Sequence, residues 1–174
     1  HDDDTTLSVD TINNMNLLAT GNQDTLDLSI SVIEALSGTH GTSDLEQGDG
    51  TDLGATDTVV VKEASGATSF NDASDILVVV GAEFSTTALL ETALETGSRT
   101  LTVTSDLATA DGGGFLVLYS DGTDAYLAVA DVAAETDDDL NFEANDLAIT
   151  QILKIAGVTS IASGDFADAE LDLI

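Results

Sequence analysis

The chain has 174 residues, with 33 acidic side chains against 3 basic ones and a formal net charge of -30. Neutralising phosphate requires clustered cations, and Lys62, Arg99 and Lys154 are the whole supply, so nucleic acid is excluded as a partner and anionic membrane surfaces are disfavoured. At 43% hydrophobic residues the chain is still too apolar for an acidic disordered tail, so it is expected to fold as one domain or two small ones.

With no Cys and two His, disulfides are impossible and a structural zinc site is disfavoured. The lack of cysteine does not assign a redox compartment. The acid excess has two physical readings: divalent cations or hydrated salt ions offset the self-repulsion, or the chain is adapted to high salt. No apolar run reaches the roughly eighteen residues a membrane helix needs, so no membrane insertion is expected. The chain opens at His1 without initiator Met or basic leader, which suits a processed product, a domain of a longer protein or its ordered part.

Along the chain, Thr5 to Asp10 alternates with Leu7 and Val9 on one face. Leu26, Leu28, Ile30 and Val32 do the same against Asp27, Ser29 and Ser31. Both segments read as strands with one dry face, which makes residues 1–36 an N-terminal β segment able to donate a strand to another subunit. The Gly, Asp and Thr-rich stretch 37–57 reads as a loop and the best domain boundary, with 58–174 as the main β-rich domain. Within that domain, TVVVKE at Thr58–Glu63 and ILVVV at Ile76–Val80 read as central strands buried on both faces.

Ser85 is a good N-cap, Ala88, Leu89, Leu90, Ala93 and Leu94 form an apolar stripe, and Gly97 suits a helix end; one short helix is therefore predicted near 85–96. Arg99 to Thr104 returns to alternation, with Leu101 and Val103 on one side. FLVLYS, DGTD and AYLAVA, from Phe115 to Ala130, predict a β-hairpin around a tight Asp-Gly turn. DLAITQILKIA at Asp146–Ala156 suits either period, alternation through Leu147, Ile149 and Gln151 or a helix through Leu147, Thr150 or Gln151 and Lys154, and the β-branched Val158 after Gly157 tips it towards strand. Phe166 to Ile174, with Ala169, Leu171 and Leu173 between acids, reads as a terminal strand. The fold class expected is mainly β: an antiparallel β-sandwich or β-roll-like domain with one short helix.

Chemistry is sparse in this vocabulary. The only imidazoles are His1 and His40, no nucleophile elbow or zinc-protease helix occurs, and the triplet Gly112–Gly114 lacks the lysine of a phosphate loop. An enzyme is not expected. Calcium is the better candidate cofactor, because turns gather carboxylates and carbonyls as hard cations require. The candidate ligands are Asp49, Asp52 and Asp57; Asp121 and Asp124; and Asp131, Asp137 and Asp139, beside an acidic start at Asp2–Asp4. The stretch from Asp137 begins like an EF-hand, but Phe142 and Ala148 stand where Gly and Glu are needed. GDGTDL at Gly48–Leu53 is similar to a single turn of the calcium-binding nonapeptide. Each cluster has a plain alternative as a solvated turn, strongest at Asp121-Gly122, where the backbone alone demands those residues.

The succession NDASDILVVV, GGGFLVLYSDGTDAYLAVADV and IASGDFADAELDLI resembles C-terminal regions of acidic, repeat-rich bacterial surface proteins. These include cyanobacterial proteins with a bluetail C-terminus and relatives exported by type I secretion. The resemblance spans about the last hundred residues and implies an extracellular location, calcium-assisted folding and an uncleaved C-terminal secretion signal. The tandem nonapeptides of such proteins are missing here.

Taken with the β-rich segments, these features lead to an extracellular structural protein, a homopolymer subunit of a surface filament or layer, with cations screening its charge. Leu7 and Val9, and Leu171 and Leu173, are the assembly candidates. The alternative is a calcium-dependent adhesin or carbohydrate-binding module that takes surface glycans.

Overall fold

Strands that are apolar at every position need cover on both faces. The chain meets that need in a computed structural model whose described residues are 10–13, 15, 26–37, 44–55, 59–104, 113–132, 140–166 and 171–174. In chain order these form β1 (Asp10–Asn13), β2 (Leu26–Leu28), α1 (Ile30–Ser37), β3 (Asp44–Leu45), β4 (Val61–Ala64), β5 (Thr68–Ser69) and β6 (Ile76–Glu83). They continue with α2 (Thr87–Glu95), β7 (Leu101–Thr102), β8 (Gly113–Ser120), β9 (Asp124–Val132), β10 (Leu147–Ala156) and β11 (Leu171–Leu173).

The fold is mainly β, as expected. Its main sheet has seven strands in the order β1-β10-β9-β8-β6-β4, with β3 beside the start of β8. Only β8-β9-β10 is antiparallel; β1, β3, β4 and β6 all pair in parallel. Short terminal and crossover segments account for this mixture, which a sandwich of hairpins would not contain. The sheet is thus the middle of three layers.

On β6, Ile76, Val78 and Val80 face a core shared with Ile33 of α1, Leu45, Leu116, Leu118 and Leu127. Leu77 and Val79 face the opposite way, towards Leu90 and Leu94 of α2, Phe70, Phe115 and Val117. Every residue of β8 is buried. At about 1.5–3 kcal/mol per fully buried large aliphatic or aromatic side chain, these two cores hold the molecule together.

Several sequence expectations shift in instructive ways. The alternation from Leu26 to Val32 stops at Leu28, and Ser29 then opens helix α1, its carbonyl accepting from the Val32 and Ile33 N–H groups. Helix α2 starts at Thr87, capped by Thr86 rather than Ser85, with the Thr86 hydroxyl accepting from Leu89 N at 3.3 Å. Its buried stripe is Leu90, Ala93 and Leu94, whereas Ala88 and Leu89 point outward. Of the two β-branched runs, β6 is central and buried but β4 is the outermost strand of its side and half-buried. Residues 44–53 do not act as a linker: Leu45 and Leu53 enter the core that also holds Leu28 and Ile76.

The predicted hairpin forms β8 and β9, with Asp121 N–H donating to the Asp124 carbonyl and Gly122 at φ 92°. A positive φ at the first central residue is what places glycine there. DLAITQILKIA is strand β10, and its ambiguous period has a cause. The register against β9 slips between Gln151 and Leu153, so Ile152 is a bulge. Leu147 and Ile149 therefore face the α2 core, whereas Ile152 and Ile155 face the α1 core.

Candidate functional site

The sheet margin where β1 joins β10 is the first surface of interest. Asp10 to Asn13 pair in parallel with Leu153 to Ala156. Ile12, half-buried, and Met15 just beyond pack on the α1 core, while Thr11 and Asn13 are exposed. Partial burial of one isoleucine contributes about 1 kcal/mol, so the backbone ladder does most of the holding. Leu7 and Val9 lie outside the described residues. At the other terminus, β11 pairs in parallel with β2, Leu171 with Leu26 and Leu173 with Leu28. Ile174 N–H donates to the Leu28 carbonyl and the Ile174 carbonyl accepts from Ile30 N–H, so this strand docks at the start of α1.

The upper half of β10 is closed by another device. Among the described residues, parallel pairing with β1 covers β10 from Leu153 onward, and the outward N–H groups of Leu147 and Ile149 find their acceptors elsewhere. Helix α2 supplies them. Glu95 Oε1 accepts from Asn145 N at 3.1 Å and from Leu147 N at 3.0 Å, and Glu91 Oε1 accepts from Ile149 N at 2.8 Å. Glu95 is 6% exposed, an ionisable group held inside because its oxygen is bonded twice. Charged side chains and covering helices are recognised ways of blunting a sheet edge, and α2 combines both. Sequence reading passed over Glu91 and Glu95. Their signal was an i, i+4 pair flanking Leu90 and Leu94 on a helix that otherwise carries no charge.

The described aspartates among the calcium candidates lie in three places: the turn after β3, the β8-β9 hairpin turn and strand β9. Asp49 sits in the turn after β3, where its Oδ1 accepts from Thr51 N at 3.1 Å and Thr51 Oγ1 at 2.7 Å. Asp52 is exposed and bridges backbone to backbone with Glu46. Asp121 Oδ1 caps the hairpin turn, accepting from Thr123 N at 2.7 Å and Asp124 N at 2.8 Å. Asp124 accepts from Lys154 Nζ at 2.5 Å and Gly157 N at 2.8 Å. The Lys154 ammonium, then the Gly157 N–H, hold the Asp124 carboxyl below the usual carboxylate range; the same contact raises Lys154. Asp131 is buried on β9, between Gly114 of β8 and Ala148 of β10. Asp57, Asp137 and Asp139 lie outside the described residues. Among the described residues no three acidic or imidazole side chains converge on a point where one metal ion would fit.

The three basic side chains all bond partners within the chain, two at the surface and one buried. Lys62 pairs with Asp72 at 2.6 Å, Lys154 with Asp124, and Arg99 is 6% exposed, donating from Nη1 to the Ala64 carbonyl at 3.1 Å. Arg99 also lies 6.0 Å from the Phe84 ring centroid, and burial lowers its pKa while leaving it charged. At Asp72, burial pushes the carboxyl up, but Lys62 and the Ser74 hydroxyl outweigh it and the net shift is downward. The outward charge of the molecule is therefore acidic.

The aromatic side chains are also committed inward. Phe70, Phe115, Phe142, Phe166 and Tyr119 are buried, while Phe84 and Tyr126 are half-buried. Tyr119 and Tyr126 stack at 5.7 Å, and Gln151 Nε2 donates to the Tyr119 hydroxyl at 2.6 Å. Burial raises the pKa of both tyrosines. Among the described residues no helix is long and apolar enough to cross a membrane. Comparison of the chain with protein-family models, with curated proteins and with solved structures gave no match.

Proposed function

We propose that this chain is an extracellular structural subunit that self-associates into a surface filament or layer, with cations screening its charge. The observation that carries the reading is strand β1: a four-residue edge strand from the N-terminal region, paired in parallel at the margin of an open sheet. The same ladder forms whether the strand comes from its own chain or from a neighbour, so exchanging it costs little and joins subunits head to tail. A head-to-tail contact that does not close on itself yields a polymer. A net charge of -30 opposes the approach of two copies, and no lysine is left over to offset it, so calcium or high salt enters as the counter-charge.

The test is light scattering with negative-stain microscopy on the full chain in millimolar calcium and again after chelation. Ordered polymers that dissolve on chelation support the reading; a folded monomer in both conditions contradicts it. A glycan-binding module would display flat aromatic faces, and the buried or half-buried Phe and Tyr side chains give that alternative no comparable support.

A further inference from the structure

The stretch of β10 that carries β1 has a stop at each end. Among the described residues the ladder begins at Leu153, directly past the bulge at Ile152, and ends at Ala156. Before it, the backbone N–H groups of Leu147 and Ile149 are taken by Glu95 Oε1 at 3.0 Å and Glu91 Oε1 at 2.8 Å. Past it, Gly157 takes φ 83° and turns the chain out of the strand, while its N–H goes to Asp124 Oδ1 at 2.8 Å. The strand seated between these stops is four residues long.

Alternation alone does not fix where such a strand sits. A slip of one residue would turn Ile12 away from the α1 core and set Thr11 and Asn13 towards it, so burial opposes odd slips. A slip of two returns every side chain to its own face, and burial does not oppose it. Moved two residues towards the start of β10, β1 would lie across the bulge, and the chain before it would run onto Ile149, whose N–H already has an acceptor. Moved two residues the other way, it would lose half its ladder past Gly157.

We infer that this edge is a strand slot of fixed length and register, with Glu91 and Glu95 as the positioning residues that select the register. It takes a four-residue parallel segment with an aliphatic side chain in third place and polar ones in second and fourth. The occupant in the structure is DTIN at Asp10–Asn13, with Ile12 packed on the α1 core and Thr11 and Asn13 exposed. The two glutamates act through the β10 backbone, by denying its N–H groups to a longer or shifted strand. An ionised carboxylate accepts hydrogen bonds and donates none, so it ends the ladder without offering the next strand a donor.

For a β1 supplied by a neighbouring copy the inference rests on the self-assembly reading, and the slot then sets every joint in the same register. For β1 in its own chain it stands without that reading.

The test is a disulfide register scan on the full chain, diluted and in chelator so that each bond forms within one molecule. The chain has no cysteine, so Asn13→Cys is combined in turn with Ala156→Cys, its observed partner, and with Lys154→Cys, its partner after a two-residue slip towards the start of β10. In the otherwise wild-type chain, oxidation is expected to be about tenfold faster for 13 with 156 than for 13 with 154. Adding Glu91→Ala and Glu95→Ala should reduce that preference severalfold, whereas Glu91→Gln and Glu95→Gln, which keep an acceptor oxygen at each place, should restore it. A purely stabilising role would weaken the fold in the alanine background and leave the preference unchanged. Circular dichroism checks folding, and if the double alanine variant does not fold, Glu91→Ala alone removes only the acceptor of Ile149 and is expected to lower the preference in the same direction. No preference in the wild-type background, or one that every folded alanine variant retains in full, overturns the inference. Because the scan is read within single molecules, a chain that stays monomeric in calcium contradicts self-assembly and leaves the slot standing.

Discussion

Glu95 offers the sharpest test of how α2 is bonded to the sheet. Its carboxylate oxygen takes two backbone N–H groups, and the one from Leu147 is fully buried. In Glu95→Ala both donors lose their acceptor. Leaving a buried donor unsatisfied costs about 1–3 kcal/mol, so the buried Leu147 N–H and the part-buried Asn145 N–H together predict a loss of roughly 3 kcal/mol. Glu95→Gln keeps a carbonyl oxygen at the same reach and gives up only the charge assistance, for a predicted loss of about 1 kcal/mol. The sign itself is informative. In a chain of net charge -30, removing an acid from an exposed position such as Asp52 relieves repulsion and is neutral to slightly stabilising.

Urea denaturation at fixed salt measures these differences as shifts in midpoint at constant slope. Amide hydrogen exchange at Leu147 provides the local readout and should accelerate in Glu95→Ala beyond the global change. A Glu95→Ala midpoint within about 0.5 kcal/mol of wild type refutes the reasoning, since that is the ordinary range of a surface substitution. So does a Glu95→Gln variant as unstable as the alanine one.

Other positions carry their own expectations. Because the Asp124 carboxyl is held below its unfolded value, its pairing with Lys154 stabilises the fold above the usual carboxylate range and is lost as pH falls through the depressed native value. Asp124→Asn should therefore flatten the acid limb of stability against pH, read by urea midpoints across acidic buffers. A β-carbon on Gly48 would come within 2.8 Å of the Asp72 carbonyl and 3.2 Å of the Phe70 ring, so Gly48→Ala is expected to cost about 1–3 kcal/mol in the same assay. Asp121→Asn preserves the oxygen that caps the hairpin turn and should leave stability within about 0.5 kcal/mol, whereas Asp121→Ala should cost about 1 kcal/mol. If Asp121→Asn instead abolishes the calcium response seen by light scattering, the turn is a cation site.

What was legible in the sequence follows from which signals are local. The β8-β9 hairpin declared itself because β-branched and aromatic runs flank an Asp-Gly pair that the turn geometry demands. Helix α2 was legible through Leu90, Ala93, Leu94 and the closing Gly97, although its cap falls at Thr86, one residue after the expected Ser85. At Leu26 to Val32 the alternation was genuine for three residues, but a single Ser29 turned the chain into α1, and short apolar runs do not reveal that change of period. In β10 the bulge at Ile152 moves the apolar face from one side of the sheet to the other, so no single period could describe it.

The mixed pairing was hidden because parallel neighbours such as β1 and β10 are joined by contacts far apart in sequence. The candidate site was less legible than the fold. Aspartates in Gly-rich turns look alike whether they bind cations or cap backbone, and Asp49 and Asp121 are seen bonding N–H groups of their own turns. Glu91 and Glu95 were hidden by the opposite habit, that of assigning acids on a helix to its solvent face.

Strand exchange itself can be caught between chains. Asn13 and Ala156 face each other across the β1-β10 ladder, and the chain has no cysteine of its own. One preparation carrying Asn13→Cys and another carrying Ala156→Cys are mixed in millimolar calcium, unfolded and refolded together, then oxidised. Adjacent positions on paired strands lie within disulfide reach, so a bond between the two different chains forms only if β1 of one occupies the edge of the other. The account predicts mixed disulfide-linked chains enriched in the polymer fraction; polymers that contain no such bond, with each β1 retained by its own chain, contradict it.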